Sequence, residues 1–245
     1  MSKTILTNVR TFAVGADLTG QSNKIELSAE VEDKDTTNYA SEGWKEFLGG
    51  LASAEIAGEG QWEAGDPGKI DDASWSQLGG VGPWSISANN AAAVGGLAYF
   101  TNGLRSDYKL FGAVGDVAPW SGTVKSSWPL VRGQFAHPPG TARTATGTGT
   151  GLNLGAVAAG DRVYAALHVL SASGTTPSLT ARVESSADNT FASPTTRLTF
   201  TAATAAGGQI LRTDGSAITD AWWRIAWTVS GTTPSFLFVS SLGIQ

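Results

Sequence analysis

Residues 23 to 64 constrain the fold more than any other stretch, because they read as strand, acidic loop, amphipathic helix, Gly-Gly stop and second strand in one block. Ile25, Leu27, Ala29 and Val31 alternate with Lys24, Glu26, Ser28 and Glu30, while Ile56 and Trp62 take the opposite parity to Glu55, Glu59 and Glu63. Successive side chains of a strand point to opposite faces, so both strands are expected to carry one apolar and one acidic side. Between them, Trp44, Phe47, Leu48 and Leu51 stand at helical spacing, which predicts a helix over about residues 41–51 with one stripe for covering a sheet. Ser41 suits the N-cap, Glu42 the first turn and Gly49-Gly50 the stop.

The composition agrees with a turn-rich β protein. Charged residues make up 15% of the 245 positions, against about 25% in an ordinary soluble domain, and 31 positions are Gly. So few charges suit a surface covered by neighbouring subunits, although a stable β domain with a neutral Ser/Thr exterior would have the same profile. There is no cysteine, which removes disulfides and thiolate metal sites. The first eight residues lack the apolar run of a secretion signal. The charge-free stretch from Ala73 to Leu104 is too often broken by Ser, Asn, Gln and Gly to cross a bilayer, so no membrane insertion is expected.

Net charge is −5 and unevenly spread. Residues 1–72 hold 14 Asp/Glu and 6 Lys/Arg, and residues 73–245 hold 7 and 10. No Lys/Arg cluster exists, which argues against tight binding to a nucleic-acid backbone. An acidic wall would instead repel phosphates and let DNA slide past, and an ordinary solvated sheet face would carry the same alternation of acids.

Further along, residues 5–14 are expected to form a first strand, and Pro67-Gly68 breaks the second acidic one. Asp71 or Asp72 can cap a short helix that places Trp75 and Leu78 on one side. Extended structure resumes at Pro83–Ile86 and is expected again at Tyr108–Val114 and Trp128–Phe135, the last ended by Pro138-Pro139-Gly140. Residues 141–151, rich in Thr, Ala and Gly, read as a loop or arm. The hexapeptide Ser-Gly-Thr-Thr-Pro-Ser occurs twice, at 173–178 and 230–235, each time as a turn between strands.

Few residues suggest chemistry. His137 and His168 lie in different settings with no metal-ligand spacing around them. No Gly-x-Ser-x-Gly elbow is present. Gly147–Gly151 is not placed between a strand and a helix as a phosphate loop would be. Asp33, Asp35 and Asn38 lack the calcium-loop pattern. No cofactor, no metal and no enzymatic activity are therefore expected. Nine Trp residues support a rival reading, a carbohydrate-binding β-sandwich such as a phage receptor-binding or decoration module; a hydrolase with an unrecognised site is a third.

The run from Glu32 to Leu51 resembles the segment of long-tailed bacteriophage tail tube proteins in which an acidic Asp-x-Thr-Thr loop leads into a Gly-aromatic helix. The ending, with Trp222-Trp223-Arg224-Ile225, the second Ser-Gly-Thr-Thr-Pro-Ser and the final Phe236 to Ile244, resembles the closing hairpin of actinobacteriophage major tail proteins. The resemblance covers residues 23–80 and 163–244 and rests on strands and turns rather than a catalytic signature. It implies an all-β fold of two packed antiparallel sheets with a flanking helix, with residues 1–140 forming the tube domain and 152–245 completing it. It further implies hexameric rings stacked into a tube, the lumen lined by Glu26, Glu30, Glu55, Glu59 and Glu63, and contacts between subunits or rings through Asp33, Asp35, Trp44 and Trp222. The implied partners are the chain itself, a tape measure protein, tail terminator and distal tail proteins, and double-stranded DNA in non-specific passage. The implied location is the virion, after synthesis in the host cytoplasm.

Overall fold

The computed structural model describes residues 6–65, 68–88 and 92–245; Ile5 of the first expected strand and the Pro67 break lie outside them. The described residues are all-β, their named strands pair antiparallel, and they include one α-helix. The strands are β1 (Arg10–Ala13), β2 (Ala16–Asp17), β3 (Ser22–Asp35), β4 (Phe47–Gln61), β5 (Val81–Ser87), β6 (Leu97–Leu110) and β7 (Pro119–Ser126). They continue with β8 (Val131–His137), β9 (Gly147–Thr148), β10 (Leu152–Asn153), β11 (Val163–Ser186), β12 (Thr195–Thr199), β13 (Gly207–Arg212) and β14 (Trp222–Ile244); the helix α1 is Ile70–Gln77.

The C-terminal half is built from long strands that turn a corner. β11 and β14 pair from Val163↔Ile244 to Ser186↔Trp222. β13 and β12 flank β11, and β8, β9 and β10 flank β14. Between its contacts with Gly207 and Ala203, β11 spends residues 170–178 where its neighbour spends only 204–206. The longer path must fold back, and so its two halves face one another. Val163, Ala165, Leu167 and Val169 meet Leu179, Ala181 and Val183, with Trp223, Ile225, Trp227, Phe236, Phe238 and Leu242 of β14 completing one buried core. The two packed layers are thus halves of the same strands.

The repeated hexapeptide forms that corner. Its copies pair with each other, Ser173↔Ser235, Thr175↔Thr232 and Ser178↔Ser230. Gly174 and Gly231 share φ 116°, Thr176 and Thr233 share φ 48°. A Cβ on Gly174 would lie 2.7 Å from the Thr233 carbonyl oxygen, and one on Gly231 2.7 Å from that of Thr176. Glycine is required twice over, by left-handed backbone and by close approach. Residues 141–151 run beside this ribbon, with Arg143 exchanging backbone hydrogen bonds with Phe236 and Gly147 pairing with Trp227.

In the N-terminal half the network continues from β8 through β6 to β5, β1 and β2, and separately through β6, β7, β4 and β3. Phe12 of β1 and Ser85 of β5 reach His168 on the outer face of β11, so this part of the sheet packs across the C-terminal layers.

The helix expected over 41–51 is not formed. Phe47 to Leu51 belong to β4, and Phe47, Leu48 and Gly49 pair with Asp35, Lys34 and Asp33. A short helix owes its stability to burying its stripe, and Trp44, Phe47, Leu48 and Leu51 are all exposed, with no surface beneath them. Pairing satisfies the backbone instead. The sheet is covered by α1, whose N-cap is Lys69, so Asp71 and Asp72 stand in its first turn and do not cap it as expected. It turns Ile70 and Ser74 inward, whereas Trp75 and Leu78 face outward. The strand expected over 108–114 already ends at Leu110. Among the described residues no helix is long and apolar enough to cross a membrane.

Candidate functional site

Strand register decides which side chains share a face. β3 pairs with β4, β4 with β7 and β7 with β6, giving a four-stranded sheet. The pairs Lys24↔Glu59, Glu26↔Ala57, Ser28↔Glu55 and Glu30↔Ser53 place Glu26, Glu30, Glu55 and Glu59 on one side. Through Glu59↔Ser121, Ala57↔Thr123 and Glu55↔Lys125, and then Thr123↔Asp107 and Ser121↔Lys109, that side continues across β7 and β6. The face therefore carries five carboxylates, Glu26, Glu30, Glu55, Glu59 and Asp107, against Lys24, Lys109 and Lys125, an excess of two negative charges.

The sequence reading missed the lysines of β6 and β7. Their signal is the alternation Asp107/Lys109 and Thr123/Lys125, which gains meaning only once β7 is placed beside β4. Lys24 Nζ lies 3.0 Å from Glu26 and 3.5 Å from Glu59, and its hydrogen bond to Glu26 raises its pKa. Lys109 lies 3.5 Å from Asp107. Such exposed pairs add little stability, but they make the face a mixed one with a modest negative field.

The fifth predicted glutamate is elsewhere. Glu63 lies past the end of β4, where its carboxylate accepts from Lys69 Nζ at 2.6 Å and Gln21 Nε2 at 3.3 Å. The Lys69 bond, with Gln21 next, holds its pKa below the ordinary value.

Behind the polar face lies a stiff apolar layer. Ile56, Trp120 and Val124 pack with Ile70 of α1 and Trp84 of β5. Arg105, 2% exposed, is held within 5.8 Å of the rings of Trp84, Tyr108 and Trp120 and donates to Ser74 Oγ at 3.1 Å. Burial pushes its pKa down to about 10. Gly122 makes room for it, since a Cβ there would stand 2.4 Å from Arg105 Nη2. Asp71 accepts from Trp62 Nε1 at 2.9 Å and Tyr108 Oη at 3.0 Å, pinning the helix to the sheet. Burial, and then Asp71, raises the Tyr108 pKa.

β7 ends at Ser126, and beyond Glu55 the β3–β4 hairpin continues alone. From residue 28 to 53 every side chain except Ser41 is exposed, with Trp44 at 80% and Leu51 at 82%. The tip is nevertheless ordered by short polar groups. Asp35 Oδ1 accepts from Thr37 N at 2.9 Å, Thr37 Oγ1 from Glu46 N at 3.0 Å, and Asn38 Oδ1 from Ala40 N at 2.8 Å. The bonds to Thr37 lower the Asp35 pKa. Asp33, Asp35 and Trp44 thus belong to one projecting arm. Trp222 does not; it is half-buried on β14, paired with Asn153 and Ser186.

The histidines are internal. His168 Nε2 is 2.9 Å from Ser85 Oγ and Nδ1 accepts from Gly15 N at 3.4 Å; burial lowers its pKa to about 3. His137 accepts from Arg143 Nε at 3.0 Å, and burial lowers its pKa to about 4. Both Ser85 and His168 are fully buried, a packing arrangement closed to substrate. Among the described residues no three His, Asp or Glu gather as a metal cluster. Of the nine tryptophans only Trp44 and Trp75 are largely exposed, and they stand on separate elements; the half-buried Trp62 pairs with exposed Phe111 at 6.0 Å.

No protein-family model and no curated protein matches the chain. Among solved structures, it is similar to a chain of the virion of a native gene transfer agent particle, with TM-score 0.45 and 18% identity over 53% of this chain and 98% of that one. It is also similar to a chain of the tail of an empty gene transfer agent particle refined with C6 symmetry, with TM-score 0.43 and 18% identity over 54% and 98%. The Dit protein of phage SPP1, described as a hub adsorption apparatus of phages infecting Gram-positive bacteria, aligns over 97% and 99% with TM-score 0.36 and 8% identity. At these scores the likeness carries no assignment.

Proposed function

We propose that the chain is a non-enzymatic structural protein of a phage-type tail, assembling through its four-stranded sheet into a ring with the polar face turned to the bore. The supporting observation is the pair of open edges on that sheet. Among the described residues β3 pairs only with β4, and β6 from Asp107 to Leu110 pairs only with β7. Three antiparallel steps separate them, so β3 and β6 run in opposite directions, and β6 of one copy can add to β3 of the next without breaking the alternation. Head-to-tail repetition of that contact closes a barrel and removes both edges.

The bore then shows rows of Glu26, Glu30, Glu55 and Glu59 interrupted by lysines. A weakly negative wall with each lysine near a carboxylate offers DNA no basic track, so the polymer passes without adhering. The aromatic layer around Arg105 and α1 faces outward and keeps the wall rigid. Hexameric closure, a tape measure protein inside the bore, terminator and distal tail proteins at its ends, and residence in the virion after synthesis in the host cytoplasm belong to the same reading.

Negative-stain electron microscopy of the purified chain tests it. Rings or tubes roughly 100 Å wide are expected for six domains of this size. Monodisperse monomers at high concentration would overturn the proposal.

A further inference from the structure

We infer that residues 141–151 form an acid-released strap over one edge of β14, latched at its start by a hydrogen bond from Arg143 that only a neutral His137 can accept. The inference stands apart from the ring reading. β14 gives one edge to β11 along its whole length. On the other edge, between Ile225 and Phe236, the strap supplies the pairing. Gly149 N donates to the Ile225 carbonyl at 2.8 Å, Gly147 and Thr148 pair with Trp227 and Ala226, and Arg143 exchanges two backbone hydrogen bonds with Phe236. Lifting the strap therefore bares a strand edge and the Trp227 ring, whose Nε1 otherwise donates to the Ala145 carbonyl at 3.0 Å.

The surroundings of His137 fix its tautomer. Nδ1 is 3.0 Å from the Phe238 carbonyl oxygen, which can only accept, so Nδ1 carries the proton and Nε2 is left to accept from Arg143 Nε at 3.0 Å. The imidazole stacks on the Phe238 ring at 4.0 Å and stands nearly perpendicular to Trp227 at 5.1 Å, and the Arg143 guanidinium lies 5.3 Å over that same Trp227 ring. The groups facing His137 are thus a carbonyl and two aromatic rings from β14 and one cation from the strap. Among the described residues no carboxylate pairs with it. A proton added at Nε2 would point at the Arg143 donor, replacing a hydrogen bond with two opposed donors and two like charges.

Little else holds the strap down. None of residues 141–151 is fully buried and none carries a large apolar side chain, so local opening sacrifices few apolar contacts. When the strap lifts, Nε2 meets water and the imidazole pKa rises toward its ordinary value near 6.5; with the strap closed, burial and then Arg143 hold it at about 4. The open form therefore binds the proton more tightly. Closure is favoured in full above about pH 6.5 and weakens as pH falls toward the closed-state value.

Backbone hydrogen exchange of the full chain, corrected for the intrinsic effect of pH, tests the latch. Protection of the Arg143, Gly149 and Phe236 amides should fall about tenfold between pH 7 and pH 5, and at each pH it should lie far below that of Leu167 and Val169 in the ribbon core. His137→Gln keeps an acceptor for Arg143 but cannot titrate, so its strap protection should stay level over the same range. Strap amides as protected as the core, no fall in the parent, or the same fall in His137→Gln would each overturn the inference. Should His137→Gln not fold, Arg143→Gln at a half-exposed position decides. Its strap should be less protected than the parent's at pH 7 and vary less with pH, and a parent-like profile would overturn the latch.

Discussion

The β3–β4 hairpin and the β11–β14 ribbon are both pairs of long antiparallel strands, and they differ in what lies against their faces. Along β11, Val163 to Val169 are buried on both sides, one side by the opposite half of the same ribbon and the other by Phe12 of β1 and Ser85 of β5 against His168 and by Phe100 and Val131 against Tyr164 and Ala166. Along the outer half of the hairpin, hydrophobes also occur on both sides, and none is covered. The same secondary structure thus serves opposite ends: the ribbon fills its own core, whereas the hairpin carries apolar surface outward.

The largest expected effect probes the covered ribbon. Trp223 is fully buried and donates from Nε1 to the Gly155 carbonyl at 2.9 Å. Trp223→Ala should cost about 3–5 kcal/mol of unfolding free energy in denaturant titration. Trp44→Ala on the arm should change it by less than about 0.5 kcal/mol. Equal losses would show that the arm is packed in the monomer.

Acid should sharpen the contrast with a smaller effect. His168 and His137 are held neutral, with pKa values lowered to about 3 and about 4, while an unfolded chain binds the proton near 6.5. Stability is then full above about pH 6.5 and is lost as pH falls from there toward the folded values, because the unfolded state takes up protons that the native state refuses. Melting temperature should decline over that range, and His168→Gln should flatten the decline. An unchanged slope would separate His168 from the acid response.

How much of this was legible in the sequence varies with the range of the interactions involved. The alternation of Glu26 and Glu30 with Ile25, Leu27 and Ala29 is local, and the sheet keeps it. The same holds for the stop after His137 and for the short α1, although Asp71 and Asp72 lie in its first turn and not at its cap. What the sequence hid depends on pairing at a distance. Lys125 joins the acidic face only because β7 docks on β4, and the two identical hexapeptides form one corner only because β11 and β14 run antiparallel. The spacing of Trp44, Phe47, Leu48 and Leu51 satisfied a helical pattern that had nothing to cover, and Glu63 kept its parity in the sequence after the strand itself had ended.

Thiol labelling of the assembled protein with Glu59→Cys, set beside a control at exposed Thr228 on β14, tests the inward-facing sheet most directly. In monomers a small maleimide and a bulky polymer-linked one should both modify either position. After ring assembly, the bulky reagent should still modify the Thr228→Cys control but label Glu59→Cys at least tenfold more slowly. Equal labelling of the two positions in verified rings would place that face outside and contradict the account.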